Sequence, residues 1–292
     1  MITVFTPTYN RIATLPRLYE SLISQTYTVF EWLIVDDGST DNTESLIKSY
    51  ISDGRLSIRY FQQENGGKHR AINRGVKLAK GDLFFIVDSD DYLLPDSLML
   101  LNRYYEEIRN NNAFAGVSGS RCYPDGKRIG GEVSYKVIDS DPVEIRQKWH
   151  VEGDMAEAWK TVILKKYPFP EFPGEKFLTE AVVWNEIAKK YKLRYFHEMI
   201  YCCEYLDGGL TKNIRRHHRN SPRGTRLFYS SLLHDKRYSL IRHLMDAASY
   251  WRYTWKFKDD TRYRLPLWSY LMFPVGVVYY YIDLYNERKS AF

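Results

Sequence analysis

The run Phe84-Phe85-Ile86-Val87 is apolar and leads directly into Asp88, Ser89, Asp90 and Asp91. Four such residues suit a short strand buried on both faces, which puts the three carboxylates at its carboxyl end. Carboxylates clustered there are hard oxygen ligands, able to hold a divalent cation that in turn carries phosphate oxygens. The same residues also fit a solvated turn that caps the next helix. A second apolar run, Trp32 to Val35, ends in Asp36 and Asp37 before Gly38 and Ser39. Asp37 can accept a hydrogen bond from the imide of a base, which would select uracil. Tyr9, within Thr6-Pro7-Thr8-Tyr9-Asn10-Arg11, can stack on a base or simply pack. Lys68 follows Asn65-Gly66-Gly67 at the start of a helix. There it offers phosphate a positive charge beside backbone N–H groups, or stands exposed as most lysines do. Glu180 precedes another helix, where the dipole stabilises a carboxylate by about 0.3–1 kcal/mol whatever its chemistry.

These residues need a scaffold that brings them together. Ile2 to Thr6, Trp32 to Val35, Ser57 to Phe61 and Gly81 to Val87 read as strands. Between them lie a helix with Leu15, Leu18, Tyr19, Leu22 and Ile23 on one face, a helix capped near Thr40 or Asp41, and a helix over Lys68 to Ala79. Another, with Leu98, Leu101, Tyr105 and Ile108 on one stripe, follows Pro95. Strands alternating with helices predict a parallel α/β sheet, and right-handed crossovers place every strand's carboxyl end on one rim. Thr6 to Asn10, Asp36 to Gly38 and Asp88 to Asp91 therefore converge, with Asp91 expected to support the turn or cap the next segment. Beyond them the pattern loosens. Strands are predicted at Ala113 to Cys122 and Gly130 to Val137, a helix carrying Trp159 within Val151 to Lys166, and a helix with Val183, Trp184 and Ile187 as its core face. Neither GxGxxG nor GxxxxGK[ST] follows the first strand, so a nucleotide would be bound by side chains and metal.

The bulk numbers are permissive. With 292 residues and 44% hydrophobic content the chain can form one large domain with an extension. A net charge of +6 suits phosphorylated ligands or anionic lipid without requiring nucleic acid. Three cysteines, Cys122, Cys202 and Cys203, indicate neither a disulfide framework nor a zinc site, and no leader pattern precedes the first strand. A reducing cytoplasm is the expected location.

At five places, in order and in register, the chain resembles the inverting family 2 glycosyltransferases of the GT-A fold. These are TPTYNR at 6–11, VDDGSTD at 35–41, NGGKHRAINRG at 65–75, DSDD at 88–91 and FLTEAVVWNEIA at 177–188. The resemblance covers about residues 1–210. It implies a Rossmann-like, mostly parallel sheet flanked by helices. It implies a nucleotide-sugar, UDP-linked by the reading of Asp37, held by Thr6, Pro7, Tyr9, Arg11, Asp36, Asp37, Asn65, Lys68, Asp88 and Ser89. Mn2+ or Mg2+ would sit on Asp88 and Asp90 of a DxD motif, and Glu180 would be the catalytic base. The family's base is usually the Asp of a Glu-Asp pair; here the pair is Thr179-Glu180, one methylene longer. Residues 1–212 are then the transferase domain, with a donor half at about 1–110 and an acceptor half at about 111–212. Residues 213–292 are a basic, aromatic-rich, mainly helical extension.

A sugar hydroxyl is a poor nucleophile and a nucleoside diphosphate is strongly negative, so transfer needs a base on one side and cation on the other. Glu180 and the acids at 88–91 offer both, for single displacement with inversion in cell-surface polysaccharide or glycolipid synthesis. A nucleotidyltransferase using the same metal, or a catalytically idle nucleotide-sugar-binding partner of a synthase, stays open. The tail carries a basic run, Lys212, Arg215, Arg216, His217, His218, Arg219, Arg223 and Arg226, and an uncharged stretch from Leu265 to Ile282 broken by Pro266, Pro274 and Gly276. That stretch reads as a packed helix pair or as an aromatic, interfacial membrane contact. The second reading suits a saccharide or lipid-linked saccharide acceptor and a peripheral seat on the inner face of the cell membrane.

Overall fold

The computed structural model describes residues 1–204, 213–258 and 263–290, so Lys212 of the basic run lies outside the described residues. The chain starts as a βα alternation: β1 (Ile2–Thr8), α1 (Leu15–Ile23), β2 (Phe30–Asp36), α2 (Thr43–Asp53), β3 (Ile58–Gln62), α3 (Lys68–Leu78) and β4 (Leu83–Ile86). It continues through β5 (Tyr92–Leu93), α4 (Ser97–Ile108), β6 (Phe114–Cys122), β7 (Val137–Ser140), α5 (Glu144–Gln147), β8 (Met155–Lys160), α6 (Thr161–Leu164), α7 (Ala181–Ile187) and β9 (Lys192–Cys202). The helices that follow are α8 (Ile214–Asn220), α9 (Pro222–Leu233), α10 (Leu240–Thr254), a 3-10 segment (Leu267–Met272) and α11 (Phe273–Ser290).

Met1–Phe169 with residues 183–204 forms one compact unit; Pro170–Val182 with the described residues from 213 onward forms the second. In the first, one sheet runs in the order β3-β2-β1-β4-β8-β6-β9-β5, with β7 also on β9. The first four strands of that order are parallel, and β1 lies between β2 and β4. Their residues form the core: Val4, Trp32, Ile34, Leu83 and Phe85 are fully buried, and Leu15, Leu18, Tyr19 and Leu22 of α1 and Leu98, Leu101 and Ile108 of α4 close over them. This is the near-continuous apolar character that a parallel strand covered on both faces demands.

The second half of the sheet is mixed, and two expectations fail there. Gly130 to Val137 is not a strand. Gly130 and Gly131 have φ of 82° and 78°, in the left-handed region, and a Cβ at Gly130 would lie 1.8 Å from the Glu152 carbonyl oxygen. The strand β7 begins only at Val137, antiparallel to β9. Nor does Trp159 sit on a helix: Met155–Lys160 is β8, antiparallel to both β4 and β6. Met, Ala, Glu and Lys favour helix in isolation, but two flanking strands supply a ladder on each edge, and context of that kind outweighs propensity. The buried Lys160 at the end of β8 donates to the carbonyls of Ile108, Arg109 and Asn111 at 3.1, 3.0 and 2.9 Å, closing the carboxyl end of α4.

The second unit is helical. Glu175 accepts from the backbone N–H groups of Arg223 and Gly224 at 2.8 and 2.9 Å, so a carboxylate caps the start of α9. Gly276 lets α11 approach α10 closely; a Cβ there would meet Trp251 Cβ at 2.5 Å. The basic run forms α8 and the start of α9, and several members are tied internally: Arg219 to Glu287, Arg215 to Asp283 at 3.5 Å, and Arg226 to the Phe257 carbonyl at 2.6 Å. Among the described residues no helix is long and apolar enough to cross a membrane.

His218 is buried in this unit beside Phe177, Phe228, Tyr229 and Tyr253, with ring centroids 5.2 to 6.2 Å away. Burial, helped by the neighbouring His217, pushes its pKa down to about 4. The unfolded chain binds a proton that the folded chain excludes, so stability is complete above about pH 6.5 and is lost as pH falls toward 4, by about 1.4 kcal/mol per pH unit. Urea unfolding from pH 7 to pH 5 should show this loss, and His218→Phe should flatten it. An equal loss in the variant would assign the titration to another group.

Candidate active site

The parallel pairing fixes the rim. Thr8 lies opposite Asp36 and Phe5 opposite Ile86, so the loops after β1, β2 and β4 leave the sheet side by side. Backbone bonds carry the alignment past the strands: Asp37 N–H donates to the Thr8 carbonyl and Val87 N–H to the Phe5 carbonyl, both at 2.8 Å.

The acids after β4 are surrounded by cations from four other segments. Lys68 Nζ lies 2.6 Å from Asp88 Oδ1, and an Arg11 terminal nitrogen 3.6 Å from Asp90 Oδ2. Arg17 donates to the Asp90 carbonyl at 2.6 Å, pairs with Glu204, and lies 4.7 Å over the Tyr92 ring. Burial alone would raise the Asp88 pKa, but the charge and hydrogen bond of Lys68, then Arg121 and Arg11, hold it below the usual carboxylate range. Burial and the charge of Asp88 raise Asp90, and the same two causes push Asp91 up to about 7.

Asp91 braces the turn, as its place in the sequence implied. It accepts from the Tyr201 hydroxyl at 2.8 Å and from Glu204 N–H at 3.3 Å, while that hydroxyl accepts from Asp88 N–H at 2.9 Å. The Arg121 guanidinium stacks 4.3 Å over the Tyr201 ring and donates to the Met155 carbonyl at 2.8 Å. Burial would lower the Arg121 pKa, but Tyr201, Cys203, Glu157 and Asp88 together raise it well above the ordinary value, so the cation persists.

The acids after β2 are disposed differently. Asp37 accepts from Gln63 Nε2 at 2.8 Å, Gly66 N–H at 2.9 Å, Gly67 N–H at 2.7 Å and Asn65 Nδ2 at 3.2 Å. Its four acceptor positions are filled by the loop that delivers Lys68, and a base imide would have to displace one of these donors. Asp36 is fully buried and accepts from Ser39 N–H and the Tyr60 hydroxyl, both at 2.8 Å. Thr6 is fully buried too, and its hydroxyl accepts from the Trp32 indole N–H at 2.9 Å, so its side chain faces the core rather than a ligand. Pro7 and Ser89 are buried, while Tyr9 is 45% exposed at the rim and open to a ring ligand. The structure thus brings Arg11, Lys68, Asp88 and Asp90 together, with Asn65, Asp36 and Asp37 as the framework behind them. Glu180 directly precedes α7 and belongs to the second unit.

These acids suit a hard divalent cation. Asp88 and Asp90 face charged side chains rather than a cage of N–H donors, and burial with mutual repulsion leaves Asp90 in need of positive charge. Two carboxylates leave coordination positions for phosphate oxygens and water, the usual arrangement for Mg2+.

Sequence reasoning passed over four residues. Asn10 adopts a φ of 51°, and its Oδ1 accepts from Thr40 N–H at 2.7 Å while its own N–H donates to Ser39 Oγ at 2.8 Å, which laces the first loop to the second. Asn is among the few side chains that tolerate this conformation, which was the available signal. Arg121 was marked only by being a cation in an apolar strand. Thr8, whose buried hydroxyl has no hydrogen-bond partner among the described residues, and Tyr201 carried no local signal.

Asn10→Gly should keep the backbone conformation and lose the Oδ1 bonds, lowering stability by about 1–3 kcal/mol. Asn10→Ala should lose roughly 1 kcal/mol more, since Ala resists positive φ. Denaturant midpoints of the two variants check this, and equal midpoints would remove the role given to the backbone.

Residues 3–154 match the family model described as Glycosyl transferase family 2. An uncharacterized glycosyltransferase of Rickettsia bellii (strain RML369-C) is 34% identical over 150 residues, 49% of this chain but 21% of its own length. The chain therefore spans well under half of the Rickettsia relatives it matches. A protein of Campylobacter jejuni named GalNAc(5)-diNAcBac-PP-undecaprenol beta-1,3-glucosyltransferase is 28% identical over 203 residues, 68% of this chain and 62% of that protein. Among solved structures, S. aureus TarS 1-349 in complex with UDP-GlcNAc is similar with a TM-score of 0.59 at 20% identity, covering 93% of this chain and 78% of that one. The mannosyltransferase PcManGT of Pyrobaculum calidifontis, in complex with GDP-Man and Mn2+, has a TM-score of 0.58 at 16% identity, covering 95% and 73%.

Proposed function

The chain belongs to glycosyl transferase family 2 and has the GT-A type of fold, and from that premise we propose that it moves a sugar from a UDP-linked donor to a hydroxyl acceptor with inversion. The observation that carries this reading is the rim itself. Two carboxylates at a buried strand end are met by Lys68 at 2.6 Å and Arg11 at 3.6 Å, a charge pattern suited to a diphosphate and its counter-ion. The UDP-GlcNAc complex of TarS and the GDP-Man and Mn2+ complex of PcManGT support a nucleotide-sugar and a divalent metal in this fold.

In this reading the donor half spans about 1–110 and the acceptor half about 111–212, with 213–292 as the helical extension. Tyr9 covers the base, and Asp36, Asp37, Asn65 and Ser89 hold the turns that shape its pocket. Lys68 and Arg11 offset the phosphate charge before and during bond cleavage. Asp88 and Asp90 would hold Mn2+ or Mg2+, which when bound supplies Lewis-acid stabilisation of the departing diphosphate. Glu180 accepts the proton of the acceptor hydroxyl as its oxygen attacks the anomeric carbon. The bond from that carbon to the phosphate oxygen breaks, and its electron pair leaves with the nucleoside diphosphate. One displacement inverts the anomeric centre. The acceptor is a saccharide, free or lipid-linked; the lipid-diphosphate in the name of the Campylobacter relative supports the second form.

Glu180→Gln should lower kcat by about 10²- to 10⁴-fold while the Kd for the UDP-sugar stays within a factor of a few. Near-normal turnover in that variant would remove Glu180 as the base. In a thermal-shift screen, a matching UDP-sugar at about 100 times its Kd should stabilise the protein by about 2.7 kcal/mol. Mn2+ should strengthen that effect, and either EDTA or Asp90→Asn should abolish the metal's share; donor binding indifferent to both would sink the metal role. The product released should be nucleoside diphosphate, since pyrophosphate would mark nucleotidyl transfer.

A further inference from the structure

The positive charge of the chain is unevenly placed: residues 213–292 carry 15 Lys and Arg against 6 Asp and Glu, while residues 1–212 carry 27 against 30. The second unit also exposes apolar side chains at one end. Leu240, Ile241 and Met245 on the first turns of α10 are 69%, 72% and 61% exposed, and Leu267 and Leu271 on the 3-10 segment are 88% and 77% exposed. The 3-10 segment lies along α10: the His243 and Trp268 rings are 5.8 Å apart beside its first turns, and the Trp251 indole N–H, nearer its end, donates to the Ser269 carbonyl at 3.1 Å. Single exposed apolar residues are ordinary, but five together mark an interaction face. Next to them in the chain, Lys236, Arg242 and Arg264 are exposed, and Tyr270 is half exposed at the same segment.

We propose that this end of the second unit docks on the surface of an anionic lipid bilayer. Leu, Ile and Met side chains enter the boundary between headgroups and acyl chains, while cations beside them meet the lipid phosphates. Since no helix among the described residues is long and apolar enough to cross a membrane, the contact is interfacial. The charge argues for lipid over a second copy of this chain, because two copies meeting here would bring two strongly positive units together. The location narrows the uncharged stretch to its first part, Leu267–Met272, and adds the first turns of α10. Of the tyrosines at 279–281, Tyr280 is half-buried against Trp255 at 5.7 Å and Tyr279 and Tyr281 are about half exposed, less than the aliphatic side chains of α10 and the 3-10 segment. The inference stands independently of the base and metal assignments.

The test is sedimentation of the full chain with vesicles of phosphatidylcholine, with and without phosphatidylglycerol, at low and high salt. Binding should require phosphatidylglycerol and weaken as salt screens the cations. Ile241→Ser/Leu267→Ser/Leu271→Ser should reduce binding at least about tenfold, with the melting transition and the hydrolysis of a UDP-sugar in solution unchanged. Lys236→Gln/Arg264→Gln should reduce it and flatten the salt dependence. Three results would overturn the proposal: no sedimentation with anionic vesicles at low salt, binding indifferent to the triple variant, or vesicle-independent dimerisation that the triple variant abolishes. Loss of transfer activity with intact vesicle binding would count against the donor-site reading alone.

Discussion

Negative charge concentrated at the end of a buried strand is unfavourable, because burial and mutual repulsion both penalise ionised carboxylates. Asp88, Asp90 and Asp91 impose that condition on everything around them. Lys68 from the start of α3, Arg11 from the loop after β1, Arg17 from α1 and Arg121 from β6 are all drawn to the same few ångströms. Each cation fixes the segment that carries it, so the acids organise four separate stretches of chain into one rim. The compensation is uneven. Asp88 is held ionised by Lys68, whereas Asp90 and Asp91 keep raised pKa values, so positive charge arriving with a ligand has somewhere to act.

The two acidic strand ends look alike in sequence and differ in physical state. After β2, the carboxylates of Asp36 and Asp37 are filled by N–H and O–H donors of the protein: two reach Asp36 and four reach Asp37. Their work is to shape the 63–68 loop. After β4, Asp88 and Asp90 are instead met by side-chain cations, Lys68 and Arg11. The number and kind of donors decides which pair serves as scaffold and which can bind, and those donors come from residues up to 30 positions away in the chain.

Legibility followed the same line. The first four strands and their helices could be read because each element depends on its own periodicity and burial: Phe84, Phe85 and Val87 are fully buried as an apolar run at that position requires. The mixed half could not, because β8 is made from helix-favouring residues and exists as a strand through the ladders of β4 and β6. In the site, the acids and Lys68 were visible as residue types in register. Asn10 and Tyr201 were not, since their roles rest on bonds to Thr40 and Asp91 that only the fold creates.

The segment that carries Glu180 adds a constraint that the rim does not contain. Upstream, Glu175 is tied to the start of α9 by two backbone N–H groups, and Phe177 stacks on His217 at 5.3 Å within the helical unit. Downstream, Trp184 stacks on Trp159 of β8 at 4.6 Å. Glu180 lies between these two anchors in the chain, five residues after Glu175 and four before Trp184, so the backbone that carries it is bounded on both sides by packed residues.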